Sequence, residues 1–362
     1  MNPNRSHLGE SVLGSRFAGS KNSLNAIRLL LASAVILSHS WWLGGYGPEP
    51  NPGGVKLGSW AVLGFFGISG YLITRSRTRA SSAGSYCLAR FLRIFPGLAA
   101  CVTAVAFVVA PVTAALTGRH YSLSGAAVYF VTNLSAGTPF IAVGGIPGSL
   151  EGLPDPRLWN GPLWTLFWEI ACYILIGIVF RLFRPDLVRL ALLTLFSVAS
   201  AAAVAVDAGW IAAPVRNDWP LIPVLSFLAG ALIYLFQDVI PANPTTLVLA
   251  AGLVVLVSSF GFASSLVHLP LSLFLILGSL YLPLFGVGSR YDVSFGIYIY
   301  GWPAQQFLAA LGLHSVVPPL VFAAASLLLV APVAWLSCRY VEKPAQLWHR
   351  AQGVRRTVRE LA

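Results

Sequence analysis

Long apolar runs recur along this chain from end to end, parted by short polar segments rich in Gly, Pro and basic residues. An apolar helix of about 20 residues bridges the ~30 Å hydrocarbon core of a bilayer, so the pattern predicts repeated membrane spans. Ten are expected, at about residues 24–43, 59–74, 91–117, 161–180, 188–206, 220–236, 245–262, 266–286, 293–313 and 318–338. Two stretches do not fit. Residues 121–134 ("YSLSGAAVYFVTNL") are too short and too polar to span and predict a re-entrant or interfacial helix. Residues 135–160 form a Gly- and Pro-rich loop, long for so economical a chain, and loops of that kind usually carry function.

Composition agrees. Of 362 residues 57% are hydrophobic and only 10% are charged, far too little charge to cover a soluble protein. The fold class predicted is therefore all-α, a polytopic membrane helix bundle. Its organisation is a polar tail (1–21), a membrane domain (22–344) and a basic tail (345–362). The first 23 residues contain no apolar core, so the first span is expected to act as an uncleaved anchor.

The net charge of +11 reads as topology rather than as a nucleic-acid signal, because the basic residues cluster in the loops of one side. With the N-terminus inside, only Lys56, Arg119, Arg157 and Arg216 fall outside, together with the acidic Glu49, Glu151, Asp155, Asp207 and Asp218. Both termini are thus expected to be cytoplasmic. The stretch from Arg339 onward, with Lys343, Arg350, Arg355, Arg356 and Arg359, reads equally as a helix on the anionic inner leaflet and as a simple topology anchor. Cys87, Cys101, Cys172 and Cys338 form no paired motif; neither a disulfide framework nor a zinc site is expected.

Ionisable residues inside spans are costly, which makes each a functional candidate. Arg28 and His39 share the first span. Eleven residues at about 100° each come within about 20° of three full turns, so both project from one face, about 16 Å apart along the axis. A lone intramembrane histidine often only links helices; the arginine in matched phase favours a site. "RFLRIFP" sets Arg90 and Arg93 one turn apart at the inner surface. Snorkelling boundary residues have that look, but two guanidiniums on one face also suit a diphosphate or 3′-phosphate. Coenzyme A carries both groups on a long arm. Glu169, about eight residues into the fourth span, is the carboxylate expected to orient and charge-balance His39.

These pieces together resemble the integral-membrane acyltransferase 3 family, from about Asn22 to Pro344. The first-span Arg-x10-His pattern matches "RLLLASAVILSH", which places the family's proposed catalytic histidine on His39 and its arginine on Arg28. The Arg-x-x-Arg donor motif matches Arg90 and Arg93. "GFFGISGYLIT" (64–74), "NGPLWTLFWE" (160–169), "VSFGIYIYGWP" (293–303) and "VEKP" (341–344) follow in the family's order, and the second of these carries its glutamate onto Glu169. Three positions depart: Gly301 stands where many members have histidine, Pro162 for a serine and Phe295 for a tyrosine.

The resemblance implies a membrane O-acyltransferase of the bacterial inner membrane. It implies acyl-CoA, most often acetyl-CoA, as a donor substrate rather than a resident cofactor, and a saccharide or glycolipid acceptor bound for the surface or for export. Base catalysis by His39 and an acyl-histidine intermediate both remain open on the sequence. Asn160, Trp164 and Tyr298, with Ser69 and Tyr300, offer a polar lining for the acceptor sugar or the oxyanion, and packing is the competing reading of each. The rival class is a proton-coupled transporter using Arg28, His39 and Glu169 as a relay, but no internal repeat supports it.

Overall fold

The structure is a computed structural model that describes residues 12–19, 21–136, 138, 141–212 and 221–348. Among them every regular element is helical: α1 Leu13–Gly19, α2 Leu24–Leu43, α3 Leu57–Arg79, α4 Ala83–Thr117, α5 Leu123–Asn133, α6 Trp164–Leu182, α7 Pro185–Asp207, α8 Leu221–Leu235, α9 Pro244–Ser259, α10 His268–Gly278, α11 Ser294–Ala310 and α12 Pro319–Ser337. Six helical stretches are long and apolar enough to cross a membrane: α2, α3, α4, Gly161–Leu182, α7 and Pro319–Trp348. Helices α8, α9 and α10 are apolar but shorter.

The expected span at 266–286 is the clearest departure. A single turn, Ala263–Leu266, precedes an α10 of 11 residues. Pro270 lacks an N–H and suits a first helical turn, so a new helix opens at His268. Beyond Gly278 the segment rich in Pro and Gly (Pro283, Gly286, Gly288) leaves the helix. Residues 121–134 hold the 11-residue α5, whose first turn is capped by Ser122 accepting from the Gly125 N–H. Arg216, Asp218, Arg350, Arg355, Arg356 and Arg359 lie outside the described residues.

The chain forms two compact units: 1–31, 51–83 and 168–289 make the first; 32–50, 84–167 and 290–362 the second. In the first, α3 and α8 cross with their backbones in touch. A Cβ placed on Gly70 would stand 1.9 Å from the Phe227 carbonyl oxygen, and one on Gly230 1.9 Å from that of Gly67. Small residues allow such an approach, and in a membrane close packing is what associates helices. Helix α1 seals one end: Leu13 and Phe17 enter the core beside Tyr71 and Ile276, and Arg16 donates to the Ala242 carbonyl and the Tyr281 hydroxyl. A polar chain ties α7, α8, the turn Ala263–Leu266 and α10, with the His268 ring held between the Ser226 hydroxyl and the Ser264 carbonyl, and Ser264 donating to Asp207.

The second unit is built around α11, nearly all of whose residues are buried. Prolines shape it. Pro303 gives no N–H to the Ile299 carbonyl four residues back, and that oxygen instead accepts from Asn160 Nδ2 at 2.8 Å and Cys101 Sγ at 3.3 Å. In α4, Pro111 denies a donor to Phe107, and the chain passes through a π turn at Val105–Val109. Between α4, α11 and α12 lies an apolar cavity of about 210 Å³, walled by Val105, Val109, Tyr300, Phe307, Val330 and Val333 among others.

Candidate active site

Helix α2 runs unbroken from Leu24 to Leu43, so nothing disturbs the register of Arg28 and His39. Arg28 lies half-buried within the first unit and His39 within the second. After α2 the chain turns back through Gly44 to Pro50. This return brings Glu49 to the imidazole, with its Oε2 3.2 Å from His39 Nδ1. The Ser38 hydroxyl donates to the same oxygen at 2.6 Å. Side-chain exposure is 19% for His39 and 8% for Glu49, so the pair is largely shielded from solvent. Among the described residues no hydrogen bond reaches His39 Nε2.

Trp302 of α11 fixes the ring from a second side, edge-on with centroids 4.9 Å apart. The indole is itself held, donating from Nε1 to the Leu158 carbonyl. One face of it lies so close to Gly161 that a Cβ there would stand 2.8 Å from the ring. Gln305 ties α11 to α2 by donating to the Ile36 carbonyl and the Ser40 hydroxyl, each at 2.8 Å. Gly301 faces Ile36 so closely that a Cβ would come within 2.8 Å of it. Ile36 thus fills the space a histidine at position 301 would need.

The segment 160–165 proves to be a clamp on α11. Asn160 serves the Ile299 carbonyl, Gly161 seats Trp302, and Thr165 Oγ1 pairs with the Tyr298 hydroxyl at 2.7 Å. Asn160 and Tyr298, expected to bind acceptor, are engaged by the protein itself. Trp164 begins α6 half-buried. Tyr300 turns to the apolar cavity.

Glu169 has other partners than expected. In the first unit it accepts from Ser69 Oγ at 3.3 Å and from the Tyr173 hydroxyl, one turn along α6. The carboxylate seen on His39 is Glu49, for which the sequence predicts only an outer-loop charge; a lone acidic residue among Gly and Pro gives no periodic signal. Asp155, likewise expected only as an outer-loop charge, is buried and accepts from Trp42 Nε1 at 2.9 Å and from the Arg157 backbone at 3.0 Å.

Burial alone would raise the Asp155 carboxyl. Donation by Trp42 and Arg157, with the Arg157 charge, outweighs that and holds it below the ordinary carboxylate range. A depressed folded-state value stabilises above the ordinary value, about 3.9, and the gain is lost as pH falls through the depressed one. The stability lead of wild type over Asp155→Asn should therefore be constant from neutrality to about pH 4 and shrink below it. Melting curves across that range check this; a lead unchanged at the acid end would contradict it.

At the other end of the second unit, Arg90 and Arg93 sit half-buried one turn apart on α4. Arg93 Nη2 lies 3.4 Å from Asp292 Oδ2, and its guanidinium stands 5.9 Å from the centroid of Phe295. Asp292 also caps α11 by accepting from Ser294. The fully buried Glu342 of "VEKP" accepts from Ser337 and packs its stem near Gly97. Two carboxylates thus belong to this region, of which the sequence marked only the arginines.

Residues 21–339 match the family described as an acyltransferase domain. The chain belongs to that family. This acyltransferase is 26% identical over 326 residues to a protein of Shigella phage Sf6 described as an O-acetyl transferase, covering 87% of this chain and 93% of that one. It is 30% identical over 235 residues to nodulation protein 10 of Rhizobium leguminosarum bv. viciae, covering 61% of this chain and 59% of that one. No solved structure matches it.

Proposed function

We propose that this acyltransferase moves an acyl group, most simply acetyl, from acyl-CoA to a hydroxyl of a saccharide made for the cell surface or for export. It would work as a ten-span bundle of the bacterial inner membrane with both termini cytoplasmic, taking its donor from the inside. The observation that carries the reading is the shielded imidazole of His39, whose Nδ1 is taken by a carboxylate and whose Nε2 is open. The likeness to an O-acetyl transferase supports the choice of an oxygen acceptor and of acetyl.

In this reading His39 Nε2 removes the proton from the acceptor hydroxyl as its oxygen attacks the thioester carbonyl. The carbon–sulfur bond of the collapsing intermediate then breaks, and the imidazolium returns the proton to the departing thiolate. Arg90 and Arg93 would hold the phosphates of coenzyme A. Arg93 already meets Asp292 at 3.4 Å, so a phosphate there must share or replace a carboxylate. Glu169, held by Ser69 and Tyr173, keeps its family position as a charge partner within the membrane domain.

The direct test is mass spectrometry of envelope and exported glycans from cells with and without the protein; an unchanged acyl content would sink the reading. The donor half has its own test. Replacing both Arg90 and Arg93 by Ala should raise the KM for acetyl-CoA at least tenfold, the worth of about one charge-assisted contact. A KM equal to that of wild type would reduce the pair to boundary anchors.

A further inference from the structure

We infer that Glu49 is the positioning residue of the catalytic base: its carboxylate fixes His39 with Nδ1–H toward Glu49 and stabilises the imidazolium formed during transfer. This rests on the reading of His39 as the base, and it assigns to the loop after α2 a role that otherwise falls to Glu169.

Three contacts carry it. Glu49 Oε2 lies 3.2 Å from Nδ1, an acceptor that fixes the proton on that nitrogen and leaves the Nε2 lone pair outward. The Ser38 hydroxyl donates to the same oxygen at 2.6 Å, so the carboxylate is itself held in place. Trp302 stands edge-on to the ring and limits its rotation. With 8% of its side chain exposed, Glu49 is shielded, and the attraction between it and a protonated ring is correspondingly less screened than at an open surface.

The alternative is that Glu49 merely ties the return loop to α2. Glutamine separates the two, because its amide oxygen still accepts from Ser38 and from Nδ1–H while the charge is gone. Asp155 is the other buried carboxylate of this end of α2, through Trp42, and Arg157 balances it. Glu49 is therefore the charge whose loss bears on the ring directly.

Proton movement stays balanced throughout. The proton taken from the acceptor resides on Nε2, Glu49 remains ionised, and the same proton leaves with the thiol.

The experiment uses the full-length protein in inverted membrane vesicles supplied with labelled acetyl-CoA, reading acetyl incorporated into glycan. Glu49→Gln should lower kcat about a hundredfold or more while the KM for acetyl-CoA stays as in wild type. Glu49→Asp should recover part of the rate. A Glu49→Gln enzyme with wild-type kcat overturns the assignment, as does a purely structural outcome in which Glu49→Gln and Glu49→Asp lose activity only in proportion to lost folded protein. His39→Ala, run beside them, keeps the two claims apart: if it is inactive while Glu49→Gln is normal, the base stands and Glu49 falls. If His39→Ala is fully active, the base reading falls first.

Discussion

His39→Ala should lose acyl transfer by about two to four powers of ten, the usual contribution of one positioned general base. In the proposed mechanism the ring acts through Nε2 alone; its other nitrogen meets Glu49 and its edge meets Trp302. Deleting it therefore removes chemistry and leaves the helix, the return loop and α11 in place. The folded protein should persist, with a stability cost no greater than one lost charged hydrogen bond, about 1.5–3 kcal/mol. Acetyl-CoA should still bind, since Arg90 and Arg93 stand on α4. The informative measurement is turnover in vesicles alongside donor binding by the same purified variant. Full turnover would remove the imidazole from the mechanism, and lost donor binding would show that it holds the donor instead.

The largest structural effect is expected at the crossing of α3 and α8. Gly70→Ala and Gly230→Ala each set a methyl 1.9 Å from a backbone carbonyl oxygen. A rotating side chain cannot relieve that, because the obstacle is main chain, so the two helices must separate. Ordinary overpacking costs about 1–3 kcal/mol, and a clash against backbone lies at or beyond the top of that range. In detergent, both variants should show a markedly lower unfolding midpoint or fail to accumulate. Gly252→Ala in α9 is the control. A Cβ there meets nothing within 4 Å, and alanine is the better helix former, so this variant should match or slightly exceed wild type. Should Gly230→Ala melt with wild type, the close crossing is not what holds the first unit together.

Much of this was legible in the sequence because lipid imposes a simple rule: apolar helices wherever the chain meets hydrocarbon. Each of the ten expected segments contains a helix, and His39, Arg90 and Arg93 stood out as polar residues inside or beside apolar ones. What escaped reading came from places without periodicity. Glu49 and Asp155 lie in Gly- and Pro-rich loops, where spacing says nothing about which helix a side chain will meet. Residues 266–286 read as one span because apolar content hides the local effect of Pro270, which reopens a helix rather than continuing one. Asn160 and Tyr298 drew a binding role from polarity alone. Their partners, the Ile299 carbonyl and Thr165, depend on how α11 packs, which hydrophobic pattern does not encode.

The proline in α11 has a consequence for how this protein can change over evolutionary time. As long as position 303 withholds its amide, the Ile299 carbonyl depends on a side chain from a loop about 140 residues earlier in the chain. Drift at position 160 is then constrained by position 303. Losing the asparagine alone strips a buried carbonyl of its stronger donor, whereas losing it together with the proline returns the oxygen to its own helix. The two sites should travel as a pair, although nothing in the linear order of residues connects them.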